Sequence, residues 1–133
     1  TTFGDMLKVP GTESSLGQAA AEGADVRIVY SPLDSLPIAA QNPGKKVIFL
    51  AVGFETTAPT AAATVLAAEQ QGLQNFYVLS AHKLVPPALR MLLDDPEVRV
   101  DGFILPGHVC VVTGTKVYAF LPEEYHESAL PIL

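Results

Sequence analysis

Val47-Ile48-Phe49-Leu50-Ala51-Val52-Gly53-Phe54-Glu55-Thr56-Thr57-Ala58-Pro59 decides the fold of this chain. It opens on the most apolar run in the sequence. A glycine follows, then a hydroxyl-rich lead into an alanine-rich stretch, Thr60 to Gln71, which stops at Gly72. Apolar run, glycine, hydroxyls and helix former read as strand, turn and helix. Thr56 or Thr57 can cap that helix through its side-chain oxygen. Pro59 falls in the first turn, where its missing N–H costs nothing. Glu55 lies at the carboxyl end of the strand, beside the positive end of the helix dipole. These residues can be simple capping. They can also be a site, because parallel α/β sheets place ligands at the carboxyl ends of their strands.

Composition narrows the class. The chain has 133 residues, 49% of them apolar and 17% charged. That leads to the expectation of a single α/β domain of ordinary size with enough apolar surface to build a core. A net charge of −6 disfavours a nucleic-acid surface. No apolar run approaches the ~20 residues of a membrane span. One cysteine, Cys110, excludes an internal disulfide and fits a reducing, cytoplasmic compartment. The chain starts without an initiator Met, and both ends read as cut. A piece of a longer multi-domain protein is therefore expected.

Outward from the central stretch the same alternation repeats. Ser14-Ser15 can cap a short helix over Leu16 to Glu22, closed by Gly23. Val26 to Tyr30 is β-branched-rich and reads as a strand. Asp34 or Ser35 caps a short helix through Ala40, with Pro37 in its first turn. Phe76 to Leu79 is the next strand, and Pro86-Pro87 opens a helix over Ala88 to Leu93. Gly102 to Leu105 is another strand. Val111 to Gly114 continues as a short helix, and Val117 to Phe120 reads as a last strand. The strand starts leave room for a helix in each crossover. The expectation is a three-layer α/β/α fold with a mainly parallel sheet of four to five strands, covered on both faces.

In a parallel sheet the segments that follow the strands share one edge. Glu55, Thr56, Thr57, His82, Lys83, His108 and Cys110 all fall there. Each also has an ordinary reading: caps for the threonines, a dipole-matched surface carboxylate for Glu55, solvated side chains for His82 and Lys83. Cys110 reads as a buried small apolar residue rather than a reactive thiol. His108 follows Pro106-Gly107, a turn that lets the backbone approach something, and function is favoured there. His126, among Glu123, Glu124 and Glu127, reads as a solvated flank.

No Walker loop, dinucleotide fingerprint, Cys-x-x-Cys or His-Glu-x-x-His occurs. Ser80, His82 and Asp101 contain the residue types of a hydrolytic triad without a nucleophile elbow. A stand-alone anion- or ligand-binding module built on Thr56 and Thr57 is the rival reading from another class.

Five segments carry a family resemblance. They are Phe3-Gly4-Asp5-Met6-Leu7-Lys8-Val9-Pro10-Gly11, Val29-Tyr30-Ser31-Pro32-Leu33-Asp34, Gly53-Phe54-Glu55-Thr56-Thr57-Ala58-Pro59, Ser80-Ala81-His82-Lys83 with Pro86-Pro87, and Pro106-Gly107-His108-Val109. In this order they resemble the HypD family of [NiFe]-hydrogenase maturation proteins, and specifically its central second α/β domain. The resemblance implies a scaffold that helps assemble the Fe(CN)2CO unit of the hydrogenase. It implies a HypC-type chaperone and a HypE-type cyanide donor as partners, and iron and a [4Fe–4S] cluster for the full-length family. Carried over by position, Glu55, Thr56, Thr57 and His108 take the chemical roles. Gly53, Phe54, Pro106, Gly107, Val109 and His82 hold the iron unit. No residue is assigned as a metal ligand. The family's Cys-Gly-Gly-His-Thr and Gly-Pro-Gly-Cys-Pro-Val-Cys motifs are absent, and Cys110 stands where a serine-like residue is expected. This stretch alone is therefore expected to bind no cluster and to catalyse nothing.

Overall fold

The computed structural model describes residues 1–125 and 128–131. His126 falls outside the described residues. The chain divides into two compact units. One comprises 1–53 and 57–82; the other comprises 54–56 and 83 onward. Helices and parallel strands alternate, as expected of an α/β chain. The strands, however, form two two-stranded parallel sheets rather than one sheet of four to five.

The first unit is built on β1 (Val47–Gly53) and β2 (Phe76–His82), paired in parallel from Val47↔Phe76 to Gly53↔His82. Alternation along β1 buries Val47, Phe49 and Ala51 and leaves Ile48 exposed. Val29, Phe49, Ala51 and Ala61 form the core, with Phe3, Ile38, Phe76 and Val78 packed around them. The opposite face is open at Ile48, Tyr77 and Leu79, so the expectation of two covered faces holds for one. Helix α1 (Leu16–Ala21) is held by a reciprocal box. The Ser15 hydroxyl accepts from the Gln18 amide, and the Gln18 side chain accepts from the Ser15 amide.

Asp34, one of the two expected positions, is the N-cap of helix α2 (Ser35–Gln41), but its side chain makes no capping bond to that helix. Ser31 caps a 3-10 turn over Pro32–Asp34, and the Asp34 carboxylate accepts from the Tyr30 and Ser31 amides. That explains why Val26–Tyr30 is not a strand. Thr2 donates to the Arg27 carbonyl and accepts from the Val29 amide, giving a single parallel bridge between Thr2 and Ile28. Beyond Val29 the amides are taken by Asp34, so no ladder can grow.

Helix α3 (Ala58–Gln70) lays Ala61, Thr64 and Ala68 inward, small side chains that bring the helix close to its neighbours. Asn75 ties this unit's loops. Its side-chain amide donates to the carbonyls of Ala39 (2.9 Å), Asn42 (3.0 Å) and Lys45 (2.9 Å). Asn75→Ala removes all three bonds; the Ala39 and Asn42 carbonyls still accept from the Asn42 and Lys45 amides, so the expected cost is about 0.5–1.5 kcal/mol. The check is urea unfolding followed by circular dichroism. Asn75→Asp, which cannot donate, is expected to lower the midpoint at least as far as Asn75→Ala.

The second unit contains α4 (Val85–Leu93), β3 (Gly102–Leu105), α5 (Gly107–Thr113), α6 (Phe120–Glu124) and β4 (Ser128–Pro131). β3 pairs in parallel with β4, from Gly102↔Ser128 to Leu105↔Pro131. Leu89, Leu105, Cys110, Tyr118, Phe120 and Leu121 form its core. The last strand expected over Val117–Phe120 is instead a 3-10 turn, Lys116–Tyr118, running into α6. Tyr118, Phe120 and Leu121 are all buried. A strand would send Tyr118 and Leu121 to opposite faces, whereas helical turns bury all three together. Among the described residues, no helix is long and apolar enough to cross a membrane.

Candidate functional site

The second unit holds a cavity of about 340 Å³ lined by Phe54, Thr56, Val85, Ala88, Leu89, Leu92, Pro106, His108 and Val109. Two segments far apart in sequence meet there. The turn after β1 contributes Phe54 and Thr56; the turn after β3 contributes Pro106, His108 and Val109. The lining is apolar except for the Thr56 hydroxyl and the His108 imidazole. Such a site offers a small ligand apolar contact and two polar groups that can orient it.

The second turn is held by α5. Pro106 is its N-cap, and the Pro106 carbonyl accepts from the Val109 and Cys110 amides, both at 3.1 Å. Gly107, Val109 and Cys110 are buried, and His108 faces outward between them. Cys110 is a free thiol within the core, in agreement with its apolar reading.

Glu55 is on the first turn, but its partner is not α3. Both carboxylate oxygens accept from the Val85 amide, at 3.0 and 3.3 Å, at the start of α4. Thr57 occupies the N-cap of α3 without making a capping side-chain bond. Its backbone is already helical there (φ −93°, ψ −24°), whereas a capping side chain needs an extended residue. The Thr57 hydroxyl lies instead against Gly53. Gly53, Thr57 and His82 belong to the first unit. His82 ends β2, and its Nδ1 lies 2.9 Å from the Ser80 hydroxyl. Ser80 is inside the strand and not on a strand-to-helix elbow, the placement that presents a nucleophile.

The third wall escaped the motif reading. Val85, Ala88, Leu89 and Leu92 are all on α4, spaced as i, i+3, i+4 and i+7, the signature of one helix face. That spacing was the available signal. The helix is anchored on another side: the Arg90 guanidinium pairs with the Glu124 carboxylate (Nη2 to Oε1, 2.8 Å) and lies 4.0 Å over the Phe120 ring. The hydrogen bond from Arg90 holds the Glu124 pKa below its ordinary value. Tyr125 donates to Asp94 at 2.7 Å. The Tyr118 hydroxyl is buried without a hydrogen-bond partner among the described residues. Burial raises its pKa, helped by the Cys110 thiol and the Glu55 carboxylate.

Among the described residues, no group of three or more His, Cys, Asp or Glu side chains could hold a metal ion. One imidazole, one hydroxyl and a thiol sunk in the core are not the donor set of a [4Fe–4S] cluster, which takes thiolates. The residues present do not fit that group.

Comparison with known proteins bears on this arrangement. A family model described as HypD, hydrogenase formation hypA family, matches residues 1–131. A hydrogenase maturation factor HypD of Rhodobacter capsulatus is 53% identical over 124 residues, covering 93% of this chain and 33% of that protein. The hydrogenase maturation factor HypD of Escherichia coli K12 is 50% identical over 125 residues, covering 94% of this chain and 34% of that protein. The factor of the same name from Cupriavidus necator is 44% identical over 131 residues. The chain spans about a third of the length of these relatives. With the family model matched along nearly its whole length, and the motifs of both cavity-lining turns in place, the chain belongs to the HypD family.

Proposed function

We propose that this chain forms one wall of the site in which a hydrogenase maturation scaffold handles the Fe(CN)2CO unit before its delivery to [NiFe]-hydrogenase. The observation that carries the reading is the meeting of Phe54 and Thr56 with Pro106, His108 and Val109 around one apolar cavity. The iron unit is cargo here. Its cyanide ligands accept hydrogen bonds, and the Thr56 hydroxyl and His108 imidazole can donate them. The apolar remainder suits a carbonyl ligand, which needs no donor. A HypC-type chaperone and a HypE-type cyanide donor are the partners that such a scaffold requires. The setting is cytoplasmic, where a free thiol such as Cys110 persists.

The test uses the gene product that carries this chain, expressed in a host lacking its own counterpart, with hydrogenase activity as readout. Thr56→Val and His108→Ala are each expected to lower maturation at least about tenfold, the worth of one hydrogen bond to a charged group. Unchanged maturation in both variants, at normal protein levels, overturns the assignment.

A further inference from the structure

We propose that Glu55 is a positioning residue: its carboxylate clasps α4 to the turn after β1 and thereby sets the cavity between them. The inference rests on the function proposed above and concerns the same site. Helix α4 has an unusual first turn. Its N-cap, Leu84, supplies no side-chain bond, and Pro86 and Pro87 have no N–H. Of the first three helical residues, only Val85 offers an amide to the outside. Both oxygens of Glu55, thirty residues away in sequence, accept from that one amide. The cap is therefore supplied by the turn and not by the helix's own flank.

The neighbours of the clasp are the cavity walls. Phe54 and Thr56 flank Glu55 on one side; Val85 begins the face that continues through Ala88, Leu89 and Leu92 on the other. Releasing the clasp removes the hydrogen bonds that tie these two walls to each other. A residue in this role works as a hydrogen-bond acceptor and carries no proton to or from the cargo. Glutamine retains an acceptor oxygen in the same place and alanine does not, so the two substitutions separate positioning from proton transfer.

Glu55→Gln, Glu55→Ala and His108→Ala would be compared in two measurements. One is hydrogen exchange of the Val85 amide in the 133-residue chain. The other is hydrogenase maturation in the gene product that carries it. Glu55→Ala is expected to speed Val85 exchange on the order of tenfold, as loss of a cap does, and to lower maturation about as far as His108→Ala. Glu55→Gln, losing only the charge–dipole attraction, is expected to speed exchange no more than about threefold and to keep most of the maturation. The proposal is overturned if glutamine fails in maturation as badly as alanine while Val85 stays protected, because the carboxylate then does chemistry. It is also overturned if alanine leaves Val85 exchange unchanged. If His108→Ala matures hydrogenase normally, the functional reading fails, and Val85 exchange still decides whether the clasp exists.

Discussion

Phe49→Ala is expected to remove about 3–5 kcal/mol of stability. The ring is 1% exposed at the centre of β1 and packs among Val29, Ala51 and Ala61. It meets Phe3 edge to face, with centroids 5.3 Å apart and planes at 85°. That pair adds about 0.5–1.5 kcal/mol beyond area burial. Its neighbours are small or already committed. Two are alanines, so nothing near can swing in to refill the space. A domain of this size is stable by only about 5–15 kcal/mol, so the variant sits near its folding threshold. Phe49→Leu keeps most of the volume and is expected to lose roughly half as much or less. Urea unfolding of the two variants against the parent chain decides the matter. A loss under about 1 kcal/mol for Phe49→Ala would show that β1 is not the anchor of the first unit.

What could be read from the sequence follows from which contacts are local. β1 and β3 announced themselves as short apolar runs and α4 through the prolines that open it, with Gly53, Pro86-Pro87 and Pro106 as punctuation. The two motif turns were expected to share the edge of one parallel sheet; β1 and β3 belong to separate sheets, and Phe54, Thr56, Pro106, His108 and Val109 instead line one cavity of the second unit. Val26–Tyr30 misled because β-branched residues suit a strand only where a partner ladder exists, and among the described residues that segment makes a single bridge, to Thr2. Val117–Phe120 misled because aromatic and β-branched residues also fill helical turns when Tyr118, Phe120 and Leu121 all need one core.

Glu55 is the instructive case. Its chemistry was evident, but a hydrogen bond to an amide thirty residues on has no local signature, so the nearer helix end at α3 looked like its partner. The α4 face shows the opposite failure. Its i, i+3, i+4, i+7 spacing was in view, but spacing does not say whether an apolar face meets a core or a cavity. Leu89 does both, being buried in the second core and on the cavity wall.

Gly53→Ala is expected to be the most damaging single methyl in the chain. Gly53 has φ +150°, a region that side chains strain to reach, which costs of order 1–3 kcal/mol. A Cβ there would also lie 2.1 Å from the Thr57 hydroxyl oxygen and 3.0 Å from both Thr57 Cβ and Cγ2. Rotating Thr57 cannot relieve this, because its own Cβ is among the close atoms, and overpacking of this kind costs a further ~1–3 kcal/mol. The two costs separate in a double variant. Gly53→Ala/Thr57→Ala removes the hydroxyl and the methyl but keeps the backbone strain, so it is expected to recover roughly half of the stability lost by Gly53→Ala. Full recovery would mean that the left-handed backbone is not a constraint. No recovery would mean that the strain alone dominates. The functional consequence follows from chain order. Gly53 leads directly into Phe54, Glu55 and Thr56, so a turn that relaxes at Gly53 re-aims the residue that clasps α4 and the two that line the cavity. Hydrogenase maturation by the gene product carrying Gly53→Ala is therefore expected to fall even where growth at low temperature restores normal protein levels. Maturation that returns in step with protein level would show that Gly53 serves stability alone.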